Sequence, residues 1–266
     1  MLVELVHPTL KKYLPRDFHQ SRLQEIKADC SNCIMARPKN KKSIHYDPQL
    51  KCCTFEPFVP NFSVGYILKH PELSGFDVVK DKIKRREYAL PIGMVAPIRF
   101  QMEFSKRKPG DFGQRKDWLC PYYDQKSEGC GIWPARGSVC TSFYCHSSYG
   151  QKGLTFWKEF GDSLHIVEMS LMEEALVELD FSPRQVSDLL GYMNRTSATK
   201  AELKSWVLPE KQFKQLWNGY DQDIEGFYQK TLNWVESLTE SEFYQSIGEV
   251  GEKALTRTLK SLKSLE

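Results

Sequence analysis

The C-terminal half of the chain is patterned for helices. Trp157, Phe160, Leu164, Val167, Leu171, Ala175 and Leu179 recur three and four residues apart, which predicts one long amphipathic helix. Ser182 followed by Pro183 reads as a helix start, a capping hydroxyl and then a proline where no N–H is needed. Val186, Leu189, Leu190 and Met193 line the helix that follows. Residues 194–206 read as a linker with a weak helix. From about Glu210 a long helix is expected, with Phe213, Leu216, Trp217, Tyr220, Ile224, Phe227, Leu232 and Val235 inward. Thr239 and Glu242 have the spacing of a capping box. They open a last helix striped by Phe243, Ile247, Val250, Leu255, Leu259 and Leu262.

The N-terminal half is irregular. Residues 9–29 suggest short helices broken at Pro15, with Leu23 and Ile26 as a modest apolar face. Residues 34–51 are loop-like, with Pro38, Pro48 and the run Lys39, Lys41 and Lys42. Asn61 is placed to cap a short helix over residues 62–68, and a charged helix is expected over 77–87. Residues 98–104 alternate apolar and polar side chains and read as a strand. From Trp118 to Gly150 the chain is rich in Gly, aromatic residues and Cys without a clear period, so loops and short turns are expected there.

These patterns predict a mainly α fold, α+β with little strand, in which an irregular metal-binding cysteine region packs on a C-terminal helical bundle. The division falls at residues 1–150 and 151–266, possible parts of one compact domain, since helices with one apolar stripe need a surface to cover it. The sequence has 266 residues, 41% of them hydrophobic and 27% charged, enough to bury a core without disulfides. It has neither an h-region nor the run of about 20 apolar residues that a membrane span needs, so a cytoplasmic protein is expected. Net charge is +3 but uneven. Residues 1–120 hold 22 Lys+Arg against 13 Asp+Glu, and residues 121–266 hold 15 against 21. Solvated faces account for most of that excess, including the clusters Lys84-Arg85-Arg86 and Lys106-Arg107-Lys108, and nucleic acid is disfavoured as a partner.

The cysteines change the picture most. All eight (Cys30, Cys33, Cys52, Cys53, Cys120, Cys130, Cys140 and Cys145) lie between residues 30 and 145. In a reducing compartment such density points to metal or catalysis rather than disulfides. The pattern is C-x2-C, an interval of 18 residues, C-C, an interval of 66, then C-x9-C-x9-C-x4-C. A C-x2-C turn brings two thiolates to one metal. Adjacent Cys52 and Cys53 diverge, which suits two sites or two metals of one cluster. Eight thiolates at four per site make two sites.

The segment Trp118-Leu119-Cys120-Pro121, then Gly129-Cys130-Gly131-Ile132-Trp133-Pro134-Ala135-Arg136, then Cys140-Thr141-Ser142-Phe143-Tyr144-Cys145 resembles the YkgJ-type cysteine-cluster family, described as zinc- or iron-chelating. Cys30 and Cys33 match that family's first pair, and Cys52-Cys53 its double cysteine. The resemblance covers residues 28–148 and implies metal binding by all eight cysteines. Three features depart from the family. Eighteen residues separate Cys33 from Cys52 where the family has two, Arg136 precedes Gly137 rather than Pro, and Cys140 precedes Thr141 rather than Arg. A related cysteine cluster occurs in flagellin lysine methylases, which makes a protein-modifying enzyme one alternative.

Only one short zinc-type knuckle is present, whereas iron–sulfur clusters accept irregular spacing and a dry pocket. Trp118, Tyr122, Tyr123, Trp133, Phe143 and Tyr144 surround the ligands in sequence and would supply it. The expectation is therefore two 4Fe-4S clusters with a redox or electron-transfer role and a protein partner that gives or takes electrons. The alternative is zinc in an interaction module. Arg37, Lys51 and Arg136 are placed to offset the anionic charge, and His146, next to Cys145, is a candidate further ligand or hydrogen-bond donor. Phosphate loops, nucleophile elbows and metalloprotease motifs are absent.

Overall fold

The computed structural model describes residues 2–24, 33–36, 45–144, 146–200 and 202–266. Cys30, Arg37 and Cys145, named above as candidates, lie outside them, as does Ile26. Among the described residues the fold is mainly α. Its α-helices are α1 (Arg16–Gln20), α2 (Asn61–Lys69), α3 (Phe76–Arg85), α4 (Ile98–Ser105), α5 (Ser138–Thr141), α6 (Gly150–Glu178), α7 (Pro183–Leu190), α8 (Glu210–Leu216), α9 (Ile224–Ser237) and α10 (Glu240–Lys263). Strands are only two residues long. β1 (Val59–Pro60), β3 (Gly93–Met94) and β2 (Ala89–Leu90) form an antiparallel sheet in that order, with Val59 and Ala89 both opposite Met94. β4 (Tyr123–Asp124) pairs with β5 (Gly129–Cys130) as a hairpin. None of the described helices is long and apolar enough to cross a membrane.

Two apolar cores carry the helices. In the first, the stripe of α6 (Trp157, Phe160, Leu164, Val167 and Leu171) faces α10 and the first residues of the chain. Phe18 is fully buried beside Phe160, and Tyr13 stacks on Phe243 with ring centroids 4.4 Å apart. The Tyr13 hydroxyl donates to the Val235 carbonyl at 2.6 Å and is bracketed by that of Leu238 at 2.9 Å. The second core joins α2, α3, the small sheet, α8 and α9. There the Tyr228 hydroxyl donates to the Leu90 carbonyl at 2.7 Å, and the Trp217 indole N–H to that of Ala89 at 3.2 Å. Helices α2 and α9 touch at Gly65, where a Cβ would run into the Tyr228 carbonyl.

Both expected caps are formed. Ser182 and Gln185 make a reciprocal capping box on α7, as Thr239 and Glu242 do on α10. Residues 98–104 form a helix, not a strand. Pro97 starts α4, Arg99 and Glu103 pair at 3.0 Å one turn apart, and the alternation buries only Ile98 and Phe100 fully. Asn61 is the first residue of α2 rather than its cap. Its amide donates to the carbonyls of Pro91 and Met172, both at 3.2 Å, pinning α2 to the sheet and α6. The long helix expected from Glu210 is two helices, because Asn218 and Gly219 turn left-handed (φ 50° and 89°) and Asp223 caps a new start. Val250 is 69% exposed rather than inward, since α10 is kinked at Gly248 and the stripe loses phase there.

Candidate functional site

The two cysteine blocks meet through a backbone bond. Asp47 opens a tight turn in which its carbonyl accepts from Leu50 and Lys51, the latter at φ 55°. That turn delivers Cys52 and Cys53. The Cys120 N–H then donates to the Cys53 carbonyl at 2.8 Å, closing the 66-residue interval. Pairing of Tyr123 with Cys130, and a Gly131 N–H bond to the Tyr122 carbonyl at 2.8 Å, fold the β4–β5 hairpin back onto Cys120. Cys140 rides on α5, whose first N–H, at Ser138, is held by the Glu168 carboxylate of α6 at 3.0 Å.

As a result Cys52, Cys53, Cys120, Cys130 and Cys140 line one cavity of about 580 Å³. All five are thiols, and so is Cys33, which is half-buried and does not line the cavity. Aromatic side chains complete the wall. Phe55 and Phe104 rest on a small core with Phe100 and Trp118, while Trp133 (39% exposed) and Phe143 (40% exposed) stand at the surface. Arg136 is 8% exposed, lines the cavity, and lies over the Trp133 ring at 3.4 Å. Lys51 is buried too, paired with Glu128 at 3.1 Å. His146 is exposed and does not line the cavity. Among the described residues no three His, Cys, Asp or Glu side chains are grouped so as to hold a metal ion.

The thiols feel one another. Cys53 and Cys52 are hydrogen-bonded, which pulls the Cys52 thiol down to about 7 and pushes that of Cys53 up; Arg136 and Lys51 add to the pull on Cys52. Burial, with the charge of Cys140 next, holds Cys120 far above the usual thiol range. Burial and Cys130 raise Cys140 to about 12, against the pull of Arg136. Thiolates gathered in an apolar wall resist ionising together unless a cation joins them.

A second cavity of about 380 Å³ adjoins the first, and Phe55, Phe104, Arg107 and Val139 line both. Sequence reading missed its polar members. Glu168 is buried and raised to about 7 by desolvation. Glu56 is held by Lys82 at 2.9 Å, and Lys82 also reaches Glu87 at 2.8 Å. The signal for Glu168 was a carboxylate interrupting the inward stripe of α6 between Val167 and Leu171. Arg107, the middle of the exposed basic triplet, is the cation common to both cavities. No family model, curated protein or solved structure matches the chain.

Proposed function

We propose that this protein binds metal through its cysteines and that the group it holds is an iron–sulfur cluster, with a second site completed by the remaining cysteines, serving electron transfer. One observation carries the reading: five thiols from blocks 66 residues apart open on a single aromatic-walled cavity beside a buried arginine. The donor set is all sulfur, which suits iron–sulfur clusters and zinc and disfavours magnesium or calcium. Spacing favours the cluster over zinc: the chain has one short zinc-type pair, Cys30 and Cys33, and clusters accept the longer intervals between the other cysteines. Once bound, a cluster supplies one-electron redox chemistry. Arg136 offsets its charge, the aromatic wall limits water, and the cysteines hold it. The reading places the chain in a reducing compartment such as the cytoplasm, with a protein electron donor or acceptor as its partner.

Anaerobic purification followed by iron and sulfide analysis tests it, with electron spin resonance after reduction. Stoichiometric iron and sulfide are expected, both reduced in Cys120→Ser and Cys52→Ser. A colourless preparation containing zinc and no iron rejects the cluster in favour of a zinc-stabilised interaction module. The adjoining cavity with its buried Glu168 supports a second reading, a protein-modifying enzyme akin to flagellin lysine methylases. Failure of the metal-loaded protein to bind S-adenosylmethionine in calorimetry would count against it.

A further inference from the structure

The smaller cavity, of about 380 Å³, has no cysteine in its wall. It is lined instead by Phe55, Phe58, Phe100 and Phe104, with Glu168 among them. The Phe104 ring joins the group: its centroid lies 5.0 Å from that of Phe55 and 5.7 Å from that of Phe100. Most other polar groups of the wall are already engaged. Lys82 holds Glu56 at 2.9 Å, and Glu202 holds Arg195 at 3.4 Å. The Gln101 amide serves the Ala96 and Tyr192 carbonyls, and the Ser105 hydroxyl donates to the Met102 carbonyl. Arg107 lies over the Phe104 ring at 4.4 Å and donates to that residue's carbonyl at 3.2 Å. Glu168 differs. It is 6% exposed, it accepts from the Ser138 N–H and hydroxyl, and no cation pairs with it among the described residues. A carboxylate buried without a cation is unfavourable.

We propose that this cavity binds a small organic cation of the quaternary ammonium type, its methyl groups against the phenylalanine rings and its charge matched by Glu168. The wall offers a ligand ring faces and one unmatched negative charge, and few free hydrogen-bonding groups. A quaternary ammonium needs no hydrogen bonds, is attracted to the faces of aromatic rings, and neutralises a carboxylate by contact. Arg107 over Phe104 is a cation already taken up by one of these rings. The exposed side chains of His165, Asn194 and Thr196, in the same wall, leave a polar side for the rest of the ligand. Ligand pockets run upward from about 300 Å³, so this one suits a head group with a short tail. The inference goes beyond the metal reading and does not depend on it, because no cysteine lines this cavity.

Titration of the full chain with tetramethylammonium chloride tests it, against sodium chloride at the same ionic strength and with amide shifts followed by NMR. Saturable binding at one site is expected, with the Ser138 amide, bonded to Glu168, among the signals that move. The neutral molecule of similar size, tert-butanol, should bind at least about tenfold more weakly. Glu168→Gln should weaken tetramethylammonium by about tenfold or more and leave tert-butanol unchanged. Glutamine keeps an acceptor for Ser138 and removes a buried charge, so the variant folds. Phe104→Leu should cost the cation more than the alcohol. Equal affinity for cation and alcohol would reduce the site to an apolar void and overturn the inference. So would an affinity unchanged in Glu168→Gln, shifts confined to the cysteine cavity, or no saturable binding of tetramethylammonium.

Discussion

Replacing Glu168 with glutamine removes an ionisation and keeps the acceptor that holds α5 to α6. The parent carboxylate is 6% exposed, and its Oε2 accepts from the Ser138 N–H at 3.0 Å. Burial raises it from the ordinary 4.5 to about 7, opposed only in part by the bonds from Ser138. In the unfolded chain it ionises near its ordinary value. Between the two values the folded protein keeps a proton that the unfolded chain has released. Stability is therefore full below the unfolded value, falls as pH rises, and levels off above the folded value. A gap of about two and a half pH units at about 1.4 kcal/mol each is ~3 kcal/mol. Glu168→Gln escapes that loss. The two proteins should differ little at about pH 4.5, and the variant should be more stable by ~3 kcal/mol at about pH 8. In a chain of this size that corresponds to a rise in Tm of roughly 5–10 °C. His165 lines the same cavity and is lowered by burial, but it titrates in both proteins and cancels. Urea unfolding across the pH range measures the difference. A stability gap that stays constant with pH would refute the account of Glu168 as a carboxylate that folding forces to hold its proton.

Lys82→Met keeps the stem and removes the charge that holds Glu56 and Glu87, at 1% exposure. Stranding two carboxylates in this way should cost about 3–5 kcal/mol in denaturant unfolding, and a loss under about 1 kcal/mol would mean the pairs hold nothing. Gly65→Ala presses a Cβ into the Tyr228 carbonyl and to within 2.8 Å of the Leu232 Cβ. Helix propensity alone would stabilise this variant by about 1 kcal/mol, whereas the α2–α9 contact predicts a loss of about 1–3 kcal/mol. The sign of the measured change separates the two.

What was legible in the sequence follows from where the physics is local. The Ser182 cap, the Thr239–Glu242 capping box and the α6 stripe are written within a few residues, and the structure has them; Gln185, which completes a second box with Ser182, was not read. Residues 98–104 misled because alternation is a period-2 signal only when the alternate face is solvated. Here Gln101 turns inward to donate to the carbonyls of Ala96 and Tyr192, at 2.7 and 2.9 Å. The break at Gly219 was readable as a glycine, but an apolar stripe continuing on both sides concealed it. Eight cysteines were expected to form two four-thiolate sites; of the six described, five line one cavity, no three are grouped so as to hold a metal ion, Cys33 does not line the cavity, and His146 is exposed. Glu168, Glu56 and Lys82 were missed because a buried charge shows itself only through partners distant in sequence, as Lys82 and Glu56 are, 26 residues apart.

Loading the cysteine cavity, on the proposed function, displaces protons, because thiolates and not thiols bind metal. The hydrogen-bonded pair Cys52 and Cys53 shares its charge, so the first proton leaves at about 7 and the second is held far more tightly. Cys120 and Cys140 are both raised, chiefly by burial. At neutral pH, then, Cys52 contributes part of a proton to the release, and Cys53, Cys120 and Cys140 each contribute a whole one. Affinity for a thiophilic cation should climb steeply between about pH 6 and about pH 9. Removing the arginine sharpens the test, since its charge lowers both Cys52 and Cys140. Arg136→Gln should move the whole uptake curve to higher pH without changing the number of ions bound. Chelator competition at a series of pH values, with proton release recorded in weak buffer, reads both effects. An affinity indifferent to pH would mean that these thiols are not the ligands, and an uptake curve unmoved in Arg136→Gln would mean that the buried guanidinium does not bear on their charge.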